Sequence, residues 1–293
     1  MPTSRISHVN AYLDRLGMPE KVPPTYGNLR LLHRAHVERI PYETLDFQLG
    51  RAPGIVPVEA FERIARQGRG GYCFHLNGAF SLLLAELGYE VAMHRVGVQK
   101  VDEDTPPGIN ANHMALTVSG LPAPDSPDGK WLVDVGLGFA LHEPVPLRKG
   151  WTRQGPFGYE LGPSGFEPDA WRLDHRPVRG FAGADISARP AGIEDFAGQH
   201  AFLSTDPHSD FVRLARVQRR DAHGTDLLLG CVLTRITENG DERHEVTDRD
   251  EWFGVLRGLF GLALDDLGEA DRTRLWTVVR SGHEAWRRTA TGE

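Results

Sequence analysis

Apolar residues recur at helical spacing through the first third of the chain and at alternate positions through the middle. Residues 7–16 put Val9, Tyr12, Leu13 and Leu16 on one side, which predicts a short amphipathic helix. Pro23-Pro24 breaks the chain, and a second helix starts at Asn28 and runs through Leu29, Leu31, Leu32, His36 and Val37. It ends before Ile40-Pro41, because a residue ahead of proline is pushed out of helical geometry. Residues 42–47 read as a connector with an aromatic at each end, and 58–67 as a third helix that feeds into Gly70-Gly71. A glycine pair reaches backbone conformations that other residues adopt at a cost, so that pair reads as a tight turn. The run 73–87 is rich in Leu and Ala and stops at Gly88, which predicts a buried fourth helix.

After Gly88 the period shortens to two. Residues 89–100, 113–118 and 131–135 read as strands, with a polar loop at 102–108. The turn-rich loop 120–130 is of the kind that joins antiparallel neighbours. Residues 157–172 continue in strand-and-turn style, and 177–191 read as a connection between subdomains. A helix is expected over 195–204, then strands over 211–220 and 227–237 with a hairpin at 222–225, and a short strand at 244–247. Asp248 caps a helix through Trp252, Phe253, Leu256 and Leu259, and a last helix covers 269–288. The organisation that follows is a helical part over 1–88, a β-rich part over 89–194 and a mixed part over 195–293.

Composition narrows the function classes. A chain of 293 residues buries a large core and divides into two or three subdomains. It has no run of about 18 apolar residues, so no membrane span is expected, and its polar first ten residues lack a signal-peptide core. Two cysteines, Cys73 and Cys231, cannot build a disulfide framework and point to a reducing cytoplasm. A net charge of −7 with scattered Lys and Arg argues against nucleic acid as a partner. Most of the thirteen histidines read as surface residues.

The chemistry gathers on three residues. Cys73 opens the buried helix, beside unpaired backbone N–H groups and the positive end of the dipole, where a thiolate nucleophile is favoured. Such a cysteine needs a base and a group to orient that base. His113 opens one strand, and Asp134 lies in the apolar frame Trp131-Leu132-Val133-Asp134-Val135 of the next. If those strands pair antiparallel, imidazole and carboxylate meet, and a carboxylate between valines requires a partner. A metal held by Cys73, His75 and His113 is disfavoured, because residues two apart on a helix point to different faces. Gly136 and Gly138 read as sites where a thin ligand or another backbone passes close. Cys231, in an apolar run, reads as packing.

The assembled motifs resemble the arylamine N-acetyltransferase family. They are Leu32-His33 to His36 with Ile40-Pro41-Tyr42-Glu43, then Arg69-Gly70-Gly71-Tyr72-Cys73 with Asn77, then Asn112-His113, and Leu132-Val133-Asp134-Val135-Gly136-Leu137-Gly138. The resemblance implies an α+β fold in three parts: a helical bundle, an antiparallel β-barrel, and a C-terminal α/β lid reached through an interdomain helix. It implies a Cys73-His113-Asp134 triad, a cysteine-protease-like core, with Arg69, Gly70, Gly71, His75 and Asn77 shaping its motif and the N–H near Phe74 holding the oxyanion. The implied reaction moves an acetyl or other acyl group from coenzyme A through a cysteine thioester to an arylamine or hydrazine. Acetyl-CoA is then a co-substrate rather than a resident cofactor, and the enzyme works on small molecules as a monomer or homodimer. Tyr42, Gly136, Gly138 and Phe139 are assigned to substrate binding. Two departures stand out. His75 replaces a usual Glu or Gln and cannot make the same contacts, and Tyr42 adds a hydroxyl where the family carries Phe. A related branch closes macrolactams from carrier-bound chains, and transglutaminase-like hydrolases share the Cys-His-Asp order; both are alternative readings.

Overall fold

The computed structural model describes residues 2–139 and 141–291. Helix α1 (Pro2–Leu16) turns Tyr12, Leu13 and Leu16 inward. Helix α2 (Tyr26–Arg39) is capped by Thr25, whose hydroxyl oxygen accepts the Asn28 N–H at 3.3 Å, and it stops at Ile40 in extended conformation before Pro41. The expected connector is more than a connector. Residues Tyr42–Glu43 form a short strand, β1, and Leu45–Gln48 a helical turn, α3. Helix α4 (Pro57–Gln67) ends on Gly68 with φ +67°, a left-handed cap that suits glycine. Helix α5 (Cys73–Glu86) is apolar on nearly every side because other elements surround it. Phe74, Leu76, Phe80, Leu83 and Leu84 share one core with Tyr12, Leu29, Leu32 and Ile64 on the bundle side.

The far side of α5 lies on a barrel of eight antiparallel strands. These are β2 (Glu90–Gln99), β3 (His113–Ser119), β4 (Trp131–Val133), β5 (Val145–Pro146), β6 (Gly150–Gln154), β7 (Phe157–Pro163), β8 (Trp171–Arg179) and β9 (Phe181–Pro190). Their order is β5-β4-β3-β2-β9-β8-β7-β6. The two-residue period sorts β3: Met114, Leu116 and Val118 join the core of α5, while Ala115 joins Val96, Leu132, Phe157, Tyr159 and Phe181 inside the barrel. The loop 120–130 does join an antiparallel pair, with Leu116 opposite Val133.

Residues 177–191 are not a connection. They hold the end of β8 and all of β9, which pairs with both β2 and β8. Gly183 to Ser187 are buried on both faces, and Asp185 is neutralised by Arg172 at 2.6 Å, so the sequence shows no alternation there. After a 3-10 turn (Ile193–Phe196), α6 (Ala197–Thr205) and α7 (Asp210–Arg213) lead to a second sheet. It contains β10 (Arg216–Asp221), β11 (Gly224–Leu229), β12 (Val232–Thr237) and β13 (Gly240–Glu245). The expected strand over 211–220 therefore begins as a helix, because Ser209 caps it by accepting the Phe211 N–H at 3.3 Å. The expected strand over 227–237 is two strands. Leu229 pairs with Val232 across a turn in which Gly230 takes φ +59°, and the unbroken run of apolar side chains conceals it.

Strand β1 completes this sheet in the order β1-β10-β11-β12-β13. Helices α8 (Arg249–Gly258) and α9 (Glu269–Thr291) pack on it, and Asp248 caps α8 by accepting the Asp250 and Glu251 N–H groups at 2.9 Å. Leu45 and Leu49 share a core with Trp252, Leu256 and Leu275. The segment 42–49 thus straps the helical part to the C-terminal sheet. Among the described residues no helix is long and apolar enough to cross a membrane.

Candidate active site

Cys73 is the first residue of α5 and keeps only 3% of its surface. The N–H groups of a helix's first turn have no intrahelical acceptor, so the sulfur sits at the electropositive end. His113 opens β3 and Asp134 follows β4, which puts both at the end of the hairpin that meets the start of α5. His113 Nε2 lies 2.7 Å from Asp134 Oδ2. The other ring nitrogen, Nδ1, is not engaged by the carboxylate, and Cys73 is close enough to act on the ring electrostatically. Burial alone would drive a proton off His113. The Asp134 carboxylate beside it, with a smaller contribution from Cys73, instead holds the ring up to about 10.

Asp134 is held on every side. Its Oδ1 accepts from Asn77 Nδ2 at 2.8 Å and from the Gly136 N–H at 2.9 Å. Asn77, one turn after Cys73 on α5, also donates to the Met114 carbonyl at 2.7 Å and accepts the Val135 N–H at 3.0 Å. One amide therefore ties the helix that Cys73 opens to the segments carrying His113 and Asp134. His33 accepts the Asp134 N–H through Nε2 at 3.3 Å and is hydrogen-bonded through Nδ1 to the His142 carbonyl at 3.1 Å. Burial pushes its ring down to about 4, which keeps it neutral and able to accept.

The glycines act differently from the tight turn expected of them. Neither Gly70 nor Gly71 has positive φ. Residues 69–71 run beside β1, and the Glu43 N–H donates to the Gly71 carbonyl at 2.9 Å. A Cβ on Gly70 would stand 1.9 Å from the Pro41 carbonyl oxygen, and one on Gly71 2.5 Å from the His75 Cβ. Absence of a side chain, not of a φ restriction, is what these positions need. Gly136 obeys the same rule, since a Cβ there would lie 2.8 Å from the Cys73 Cα. Of its two readings, close approach of another backbone is the one observed. A Cβ on Gly138 would meet Gln218 at 2.4 Å, and Phe139 is buried in the barrel core against Phe157. Tyr42, also assigned to substrate binding, is buried and feels the charge of Cys73. Burial raises its hydroxyl pKa well above the usual value, and the neighbouring Cys73 adds to the rise.

His75 performs the task that a Glu or Gln performs at the third helical position. Its Nδ1 accepts the Tyr72 N–H at 3.4 Å, and its Nε2 lies 3.1 Å from the Gly54 carbonyl, to which it donates. Both ring nitrogens are thereby engaged, and burial, with Arg63 and His200 nearby, pushes the ring down to about 4. The expectation that His75 cannot make the contacts of a Glu or Gln is therefore corrected, and its neutral ring adds no positive charge near the sulfur. Nor are the histidines mostly on the surface: His33, His36, His75, His94, His113, His142, His175 and His283 are buried, eight of thirteen. Tyr72 adds a contact that nothing in the sequence announces, its hydroxyl lying 2.6 Å from His200 Nδ1 on α6. Among the described residues no cluster of His, Cys, Asp and Glu could hold a metal ion.

A neutral, buried His75 has a measurable consequence. Its folded pKa of about 4 lies below the unfolded value of 6.5, so on acidification the unfolded chain takes up the proton first. Stability conferred by the neutral ring is full above pH 6.5 and lost as pH falls toward 4, by about 3 kcal/mol from this residue. His33 and His175, also pushed down to about 4, act in the same direction. His75→Gln keeps an acceptor and a donor without the titration, so its urea midpoint is expected to fall less between pH 7 and pH 5 than that of the parent. Equal losses would show that His75 does not carry this sensitivity.

A helical bundle, an eight-stranded antiparallel barrel and an α/β layer, with Cys73, His113 and Asp134 converging at their junction, define the class as a three-part α+β protein with a Cys-His-Asp constellation. The N-acetyltransferase family model matches residues 25–268. An arylamine N-acetyltransferase of Mycobacterium bovis is 31% identical over 281 residues, covering 89% of this chain and 91% of that protein. The Mycolicibacterium smegmatis enzyme is 35% identical over 150 residues, which span 50% of this chain and 52% of the relative. The structure of the Mycobacterium marinum arylamine N-acetyltransferase, solved also in complex with CoA, superposes with a TM-score of 0.81 at 28% identity over 93% of this chain and 98% of that one. The chain belongs to the arylamine N-acetyltransferase family and is an acetyl-transferring enzyme.

Proposed function

We propose that this enzyme takes an acetyl group from acetyl-CoA onto Cys73 and passes it to an arylamine or hydrazine. The observation that carries the reading is the convergence of a helix-start sulfur, an imidazole held protonated, and a fully hydrogen-bonded carboxylate. The solved relative in complex with CoA supports the donor. In the first half-reaction the proton of Cys73 resides on His113, and the sulfur attacks the thioester carbonyl carbon. First-turn N–H groups, that of Phe74 foremost, receive the negative oxygen. The carbon–sulfur bond to CoA breaks, and His113 protonates the departing thiolate. In the second half-reaction the amine nitrogen attacks acetyl-Cys73, His113 accepts its proton, and the amide leaves with Cys73 and His113 back in their starting state. Asp134 fixes the ring's orientation and stabilises its charge through both halves. The thioester exchange is nearly isoenergetic, and amide formation draws the sequence forward. Tyr42, beside the sulfur, lines the acyl pocket with an added hydroxyl.

The test separates the two halves. With acetyl-CoA alone, peptide mapping should find one acetyl group, on Cys73, with an equivalent of free CoA released. Adding an arylamine or hydrazine should discharge it. An unmodified Cys73 with CoA still released would overturn the thioester route. Acylation by a long carrier-bound thioester but not by acetyl-CoA would replace the donor and move the enzyme toward amide-synthase chemistry.

A further inference from the structure

The barrel is packed at one end and hollow at the other. Antiparallel pairing places the start of β3 and the end of β4 at the triad end, together with the starts of β7 and β9. Large rings fill that end: Phe139, Phe157, Tyr159 and Phe181. The opposite end gathers the start of β2, the end of β3, the start of β8 and the end of β9. Small residues line it there, among them Ala92, Thr117, Ala170 and Ala188, and they leave a cavity of about 610 Å³. An eight-stranded barrel is just wide enough either to be filled by side chains or to hold one small ligand, and here it does each at a different end.

The cavity has the chemistry of a binding site. Trp171, Ile186 and Leu147 make an apolar wall, and its volume lies in the range that small-molecule sites occupy. The wall also carries His94, whose Nε2 bonds the Thr117 hydroxyl at 2.8 Å, while its buried Nδ1 has no hydrogen-bond partner. Lys130 and Lys149 line the cavity with exposed side chains, against a single acid, Asp169, ahead of β8. Two cations on the rim of an apolar hollow, in a chain of net charge −7, favour an anion with a hydrocarbon body.

We propose that this barrel mouth is a second small-molecule site, separate from the acyl-transfer centre, and that it takes an apolar carboxylate. The hydrocarbon body lies against Trp171 and Ile186, and the carboxylate meets Lys130 and Lys149 at the entrance. A neutral molecule of the same shape gains only the apolar part.

Titration of the full chain with 2-naphthoate, and separately with the neutral 2-naphthalenemethanol, tests the assignment by calorimetry. One equivalent of naphthoate should bind, unaffected by saturating CoA. The Lys130→Gln/Lys149→Gln pair should weaken naphthoate about tenfold and leave the alcohol unchanged, with acetyl transfer intact. Ala92→Trp, which fills the hollow, should abolish binding of both. Absence of saturable binding, displacement by CoA, or an unchanged affinity in the lysine double variant would each overturn the proposal.

Discussion

Cys73→Ala is expected to bring acetyl transfer down to background, a loss on the order of a millionfold, because the proposed route carries the acyl group on this sulfur. Asp134→Asn should fall short of that, by about three to four orders of magnitude. The sulfur and the helix-start N–H groups remain, but the imidazole loses the charge that keeps it protonated and aligned. The same variant should shift the pH dependence. With Asp134 the ring is held up to about 10 against the pull of burial, so it stays charged through neutrality. With asparagine, burial is opposed only by the smaller contribution of Cys73, and the fraction of protonated imidazole should fall sharply at neutral pH. Steady-state rates measured from pH 5 to 10 check both points. An Asp134→Asn enzyme within tenfold of the parent would remove the carboxylate from the mechanism.

Arg69→Ala is expected to cost about 3–5 kcal/mol of stability, the usual consequence of leaving buried charge unpaired. Arg69 has no exposed surface and pairs with Glu43 at 3.1 Å, Asp46 at 3.2 Å and Asp266 at 2.7 Å. Arg63 reaches Glu43 and Asp46 at 2.7 Å. Burial opposes ionisation of Glu43, yet the two guanidinium groups hold its carboxyl at about 2. That pKa is below the ordinary carboxylate value, so the stabilisation is full above about pH 4.5 and lost as pH falls toward 2. Removing Arg69 leaves Arg63 to serve two carboxylates and frees Asp266, which anchors the chain between α8 and α9. The network joins residues 42–46 to residues 69–71, so activity should fall with stability as Tyr42 and Cys73 lose their common support. Chemical denaturation of Arg69→Ala and Arg69→Lys measures it. Lysine keeps the charge but not the planar fork, and should recover part of the loss. A change below 1 kcal/mol for alanine would show the network to be dispensable.

How much of the fold and site is legible in the sequence depends on what each feature rests on. Helix α5 is readable because an apolar run with a glycine stop survives any tertiary context. The β3–β4 hairpin is readable because its loop is dense in turn residues, and with it comes the meeting of His113 and Asp134. Strand β9 is not, since residues 183–187 are buried on both faces and include a charged group whose partner lies on another strand. The turn at Gly230 is hidden by apolar residues on either side. His75 misleads because a ring's ability to stand in for a carboxylate or amide depends on its neighbours, and only the packed structure brings the Gly54 carbonyl and the Tyr72 N–H to its two nitrogens.

By itself the chain determined most of the helices, the β3–β4 hairpin and which three side chains are candidates for the chemistry, because period, caps and residue type act within a few positions. The tertiary structure decided that Gly70, Gly71 and Gly136 are needed for contact rather than conformation, and that residues 42–49 belong in part to the C-terminal sheet. It also decided that one end of the barrel stays hollow. All three depend on distances between segments far apart in the chain, which local pattern does not encode.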